Sequence, residues 1–258
     1  MGYPARPVEL IRSKLIRSPH AFPTRAGGVS LAPFASLNTA SNVGDAPAAV
    51  AQNLERLSAE FGATPKQLVT VHQVHGTTVL EATAEGQGVL GEADAVFTRR
   101  AGLLVGVKTA DCLPILIEDP KTGQVAAVHA GWRGVIGEIV LRAIERLVAN
   151  GADASGLQVA LGPAIQACCF EVDGDLPSRF AAAFGDGVVR PQPGKAKVHL
   201  DLSWAVARSL ARAGVPDSHV DVLPHCTRCD GRFFSYRREE GRTGRQLSLI
   251  QCVRETSL

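Results

Sequence analysis

The chain has 258 residues, of which 45% are hydrophobic and 5% aromatic, and a formal net charge of +2 at pH 7. That length supplies one large domain or two small ones, with apolar content ample for a core. The slight charge speaks against a nucleic-acid or membrane-surface binder, and the scarcity of aromatics against a base-stacking platform.

Residues 1–24 read as an irregular lead-in or an edge strand, with no apolar h-region of a secretory leader. The glycine turn at 24–30 has neither GxGxxG nor Walker spacing, so it is no nucleotide loop by itself. Residues 37–45, LNTASNVGD, form a polar loop suited to side-chain-to-backbone turn bonding. A helix is predicted over 47–61, with Pro47 in its first turn and Gly62 just past its end. Strands follow at 68–74, 79–82, 93–98 and 103–108. Two further apolar runs, 114–117 and 124–128, flank the turn Asp119-Pro120-Lys121-Thr122-Gly123 and predict a hairpin. Ile136, Ile139, Val140, Ala143, Ile144 and Leu147 form one apolar stripe and predict a single helix over 135–150, with Trp132-Arg133-Gly134 leading into it. A strand at 158–162, a strand carrying Cys168 and Cys169, a helix at 176–184 and a helix capped by Asp201 and stopped by Gly214 complete the chain. Strands and helices mix without strict alternation, which predicts an α+β fold. No repeat or linker divides residues 1–258, so a single domain is expected. No stretch is long enough to span a bilayer, and six dispersed cysteines are not a secreted disulfide framework. A soluble cytoplasmic protein is expected, without nucleic-acid or membrane partners.

The hairpin places Cys112, just before its first strand, beside His129, just after its second. His75 follows the 68–74 strand and can reach the same rim. Cys plus two His is one ligand short of a closed zinc site, and a catalytic zinc keeps that position open. The same thiol beside an imidazole is also a nucleophile–base pair, and either residue alone is commonly a buried structural group. Arg133, at a helix start, reads equally as an anion seat or a surface ion pair. Adjacent residues on a strand face opposite ways, so Cys168 and Cys169 are read as core thiols that share no ion. The Cys226-Thr227-Arg228-Cys229 pair lacks a second CxxC and is read as buried or cavity-lining thiols. The Arg-rich segment through Arg237 and Arg245 reads as a phosphate grip or a solvated edge.

Five motifs in order, VHQVHG, KTADCLPIL, AVHAGWRG, GPAIQACCFEV and CTRCDGRFFSYRREEGRTGRQLSLI, together resemble the bacterial multicopper polyphenol oxidase-like (laccase domain) family. The resemblance covers nearly the whole chain. It implies an α/β/β/α sandwich similar to the deamidating domain of cytotoxic necrotizing factors. It also implies a zinc-dependent purine nucleoside phosphorylase, acting on adenosine, inosine and methylthioadenosine, with adenosine deaminase activity. By the same resemblance His75, Cys112 and His129 would hold Zn2+, with Cu2+ the competing ion. Asn38 would belong to a loop lining the active-site side, and Arg133, Arg237 or Arg245 would hold phosphate. Asp111 is the nearest carboxylate for proton transfer or for orienting a ligand histidine. Nucleoside and phosphate are the implied small-molecule partners. Some family members are tied to editing of peptidoglycan precursors, which keeps an amide hydrolase with Cys112 as nucleophile in play. The older copper-oxidase label fits poorly: the single Met is Met1, and the seven histidines include no His-x-His pair.

Overall fold

Strands that are apolar on both faces must be covered on both. The computed structural model, which describes residues 7–191 and 197–253, meets that demand with two stacked six-stranded sheets between helices. The first sheet runs Leu10–Ile11, His20–Pro23, Gln246–Gln251, Leu104–Thr109, Leu68–His72 and Val89–Glu92 from edge to edge. The second runs Val220–Val222, Gln158–Leu161, Leu113–Glu118, Val125–Ala130, Ala95–Thr98 and Val79–Ala82.

Period-two alternation sorts side chains between three cores. Val69, Val71, Val105, Val107 and Ile250 of the first sheet meet Val96, Leu116, Ala127 and Ala160 of the second. The outer face of the first sheet, through Leu68, Leu104, Leu247 and Leu249, packs on Leu57 of helix α1 (Pro47–Ala59). The outer face of the second, through Leu113, Ile115, Ile117 and Val128, packs on the remaining helices. These are α2 (Trp132–Ile136), α3 (Ile139–Ala149), α4 (Leu176–Phe184) and α5 (Leu202–Arg212). The α+β class and the α/β/β/α layering agree with expectation. No helix among the described residues is long and apolar enough to cross a membrane.

The hairpin forms as its sequence requires. Leu113 pairs with Ala130 and Pro114 with His129, while Gly123 (φ 74°) donates its N–H to the Asp119 carbonyl at 2.9 Å. The predicted 135–150 helix is two helices. Glu138 takes a left-handed conformation (φ 61°) and splits α2 from α3, and Trp132 and Arg133 already lie inside α2. The apolar stripe could not reveal this, because the break falls between Ile136 and Ile139 and leaves the periodicity intact. Asp201 caps α5, its Oδ1 accepting from the Trp204 N–H at 2.9 Å. Strands Val89–Glu92, Val220–Val222 and Gln246–Gln251 went unread, while residues 1–24 hold an edge strand, Leu10–Ile11, and a second strand beside it, His20–Pro23. Residues 1–6 of that lead-in lie outside the described residues. Cys168 and Cys169 are not on a strand: they sit in a turn, and the strand there is only Glu171–Val172.

Candidate active site and metal centre

Register carries Cys112, just before Leu113–Glu118, and His129, within Val125–Ala130, to the same end of the hairpin. His75 comes from the first sheet, on a tight turn after Leu68–His72 where its own φ is 60°. The Cys112 Sγ lies 3.9 Å from His75 Nε2, and the His75 and His129 rings meet edge-on with centroids 4.9 Å apart. One donor atom from each of the three residues lies within 4.8 Å of the others. His72 is outside that group, in the cavity wall.

Asp94, fully buried, organises the three residues. Its carboxylate accepts the His129 Nδ1–H at 2.7 Å and the backbone N–H groups of Val74, His75 and Gly76 at 3.3, 2.9 and 2.5 Å. One side chain therefore fixes the His129 ring, leaving Nε2 to face the centre, and also fixes the turn that delivers His75. A carboxylate behind a ligand histidine is the usual support of a metal site. Gly131 closes the cradle: a Cβ there would stand 2.9 Å from His75 Cδ2 and 3.3 Å from the Cys112 sulfur. Two imidazoles and one thiol, converging and oriented from behind, fit a zinc or copper ion by donor chemistry.

Without an ion these groups form a charged pair. Burial opposes charge on Cys112, yet the charge of His129 and the hydrogen bonds of both histidines bring its thiol down to about 6. Burial likewise opposes charge on His129, and Cys112 with Asp94 raises it to about 9. Asp94 is buried too, but the N–H groups it accepts hold it below the usual carboxylate range.

The centre opens into a cavity of about 690 Å³. Lys108, Arg133, Arg237 and Arg245 line it, with Val71, Ile165, Phe170 and Tyr236 supplying apolar wall. Arg133 stacks on Trp132, its guanidinium carbon 4.3 Å from the ring centroid. Arg237 donates to the Glu171 carbonyl at 3.2 Å, and Arg245 to the Thr243 and Gly244 carbonyls at 2.9 Å. Burial draws Lys108 below its usual range, and among the described residues no carboxylate is in ion-pair reach of it.

Two expected roles shift. Asp111 lines the cavity but touches neither histidine. Its Oδ1 accepts from Thr227 Oγ1 at 2.6 Å and its Oδ2 from the Arg237 N–H at 2.7 Å, so the histidine-orienting carboxylate is Asp94 instead. Asn38 is fully buried and not part of the cavity lining. Its amide is spent on Ala40, Asp45 and the Arg245 backbone, and Ser41 and Asn42 of its loop present the surface instead. Asp94 and Lys108 were missed by the sequence reading. Each leaves a mark in hindsight: a lone carboxylate opening the apolar run Ala95-Val96-Phe97, and a lone lysine closing Leu104-Val105-Gly106-Val107.

Among the described residues, one other cluster brings donors close enough to hold an ion, Cys168, Cys169, Cys226 and Cys229. The expectation that the adjacent cysteines diverge fails because a turn, unlike a strand, lets neighbouring side chains converge.

The family described as multi-copper polyphenol oxidoreductase laccase matches residues 19–253. The chain belongs to that family. A Deinococcus radiodurans protein named purine nucleoside phosphorylase is 40% identical over 246 residues, which is 95% of this chain and 93% of that protein. A Corynebacterium glutamicum protein of the same name is 38% identical over 237 residues, 91% of this chain and 94% of its own. The crystal structure of YlmD from Geobacillus stearothermophilus is similar with a TM-score of 0.89 at 32% identity, covering 98% of both chains. That of YfiH from Bacillus licheniformis has a TM-score of 0.85 at 27% identity, covering 91% of this chain and 92% of that one.

Proposed function

We propose that this laccase-family chain is a zinc-dependent purine nucleoside phosphorylase, cleaving adenosine, inosine and methylthioadenosine to free base and the ribose 1-phosphate, with adenosine deamination at the same centre. The observation that carries the reading is the pairing of the His75–Cys112–His129 centre with four cavity cations, Lys108, Arg133, Arg237 and Arg245. The names of the relatives support it. Phosphate needs such cations, and guanidinium holds its oxygens in pairs. Val71, Ile165 and Phe170 give the flat base an apolar surface. In phosphorolysis a phosphate oxygen bonds to ribose C1′ as the C1′–N9 bond breaks, and the base leaves with the electron pair and takes up a proton. The arginines hold the nucleophile and offset the negative charge in the transition state. Asp111, the carboxylate lining the cavity, stands ready for proton transfer while positioning the Arg237 segment. His75, Cys112 and His129 would hold the zinc, which supplies Lewis acidity and an activated water for deamination.

The deciding experiment measures turnover of inosine and adenosine by metal-analysed protein, with and without phosphate and a chelator. Phosphate-dependent release of free base, abolished by chelation, is expected. Arg133→Ala should raise the phosphate KM about tenfold, in line with loss of one charge-assisted contact; an unchanged KM moves the phosphate seat elsewhere in the cavity. A second reading rests on the lowered thiol of Cys112 beside His129: attack of that thiolate on an amide carbon, as in a cysteine hydrolase. Amide turnover that survives chelation would replace the first reading with this one.

A further inference from the structure

The four cysteines lie behind the cavity wall, on two turns that face each other. Residues 166–170 form the first, closed by the Cys169 and Phe170 N–H groups on the Gln166 carbonyl at 2.8 and 2.9 Å. The Cys226–Cys229 pair forms the second, closed by the Asp230 N–H on the Cys226 carbonyl at 2.9 Å. A parallel bridge between Ala164 and Cys226 holds the two together.

The sulfur geometry separates three possibilities. A disulfide needs sulfurs about 2.05 Å apart. The Cys169–Cys229 and Cys168–Cys229 sulfurs are 3.2 and 3.7 Å apart, and all four lie within 4.8 Å of one another. A zinc ion bonded to sulfur at about 2.3 Å sets the edges of its tetrahedron at roughly 3.8 Å. Ordinary core thiols require burial, yet Cys168 and Cys229 are exposed while Cys169 and Cys226 are buried. That leaves an ion a path in from solvent and a backing within the fold. A second observation points the same way: the backbone N–H of Gln166 is directed at the Cys226 sulfur at 3.5 Å. Such N–H groups neutralise a thiolate held by a metal.

From this geometry we propose a second metal site, in which Cys168, Cys169, Cys226 and Cys229 bind one Zn2+ as a closed, structural tetrathiolate. The soft four-sulfur set selects zinc or iron over harder ions and leaves no position for substrate. Its effect is mechanical. The first turn follows Ile165, whose N–H donates to the Asp111 carbonyl at 2.9 Å, and precedes Phe170 of the cavity wall. The second carries Thr227, which grips the Asp111 carboxylate. The ion clips together the two turns that brace the residue next to Cys112.

The test counts metal in protein purified anaerobically and loaded with zinc, and then in the cobalt form. The intact chain should hold about two zinc ions, and Cys168→Ala/Cys229→Ala about one. Thiolate-to-cobalt absorption, which follows the number of cobalt–sulfur bonds, should fall roughly fivefold in that double variant and by only about a fifth in Cys112→Ala. Because the double variant could unfold, Cys112→Ala carries an independent arm: it should retain about one zinc. A Cys112→Ala protein free of metal would overturn the proposal, as would a single zinc in the intact chain that the Cys168→Ala/Cys229→Ala variant retains; a single zinc that survives Cys112→Ala would instead count against the His75–Cys112–His129 centre. The proposal would also be overturned by four free thiols in place of the six that the unbridged chain offers on denaturation without reductant.

Discussion

At the scale of the residue, Asp94 and Cys112 make the sharpest demands. Asp94→Asn keeps the size of the side chain but weakens its hold on the His129 ring and on the His75 turn. The affinity of the centre for zinc should drop about 10- to 100-fold, as for other supports behind ligand histidines. Competition with a chromophoric chelator measures it, and an unaltered Kd would show that the ligands need no such support. The thiol of Cys112 makes a pH prediction. Its value near 6 means that in the metal-free protein the thiolate dominates above that pH. Alkylation by iodoacetamide should therefore climb through about pH 6, well before the value near 8.5 of an unperturbed cysteine. A climb only near pH 8.5 would remove the thiolate–imidazolium pair.

At the scale of the element, the site depends on loops braced by groups that never face the cavity. Asn38 accepts from the backbone N–H groups of Ala40 and Arg245 and is fully buried. Asn38→Ala leaves both donors unsatisfied and should cost at least about 2 kcal/mol, read by urea unfolding; it should also lower kcat/KM through the displaced Arg245. A stability unchanged within error would mean that water replaces the amide. The same distinction explains what could be read from the sequence. The hairpin, α1, α4 and α5 are local: turn chemistry, a proline, an N-cap and one apolar stripe specify each. His75, Cys112 and His129 were readable because short strands deliver them to one rim, and because the family motifs carry them. Gln246–Gln251 was not, although it is central in the first sheet. Its neighbours Leu104–Thr109 and His20–Pro23 lie more than a hundred residues upstream, and no local period announces such a partner. Asp94 escaped for a similar reason, since its partners lie 18 to 20 residues before it and 35 after. The split between α2 and α3 falls at the left-handed Glu138, next to Gly137, where a Cβ would stand 2.8 Å from Thr77 Cγ2. That close approach to a residue far upstream is silent in the helical periodicity.

At the scale of the whole molecule, stability should weaken in mild acid through a group far from the centre. His20 is buried. Its Nε2 accepts the Ser13 N–H at 2.9 Å while Nδ1 donates to the Ser18 carbonyl at 2.8 Å, an arrangement that requires the neutral ring. Burial holds its pKa below 6.5, against the pull of the Ser18 carbonyl and Glu118. The unfolded chain therefore takes up the proton first. The contribution of His20 is complete above about pH 6.5 and is lost as pH falls towards its folded value. The urea midpoint should decline between pH 7.5 and 5.5, and His20→Gln should flatten that decline; an equal slope in both proteins would assign the loss to other groups. The buried carboxylate of Asp94 has a further consequence, in time more than in shape. With the His75 turn and the His129 ring already locked, an ion can leave and another enter without any refolding between. Occupancy of that centre would then follow the supply of ions in its surroundings, as a ledger rewritten with every change of medium.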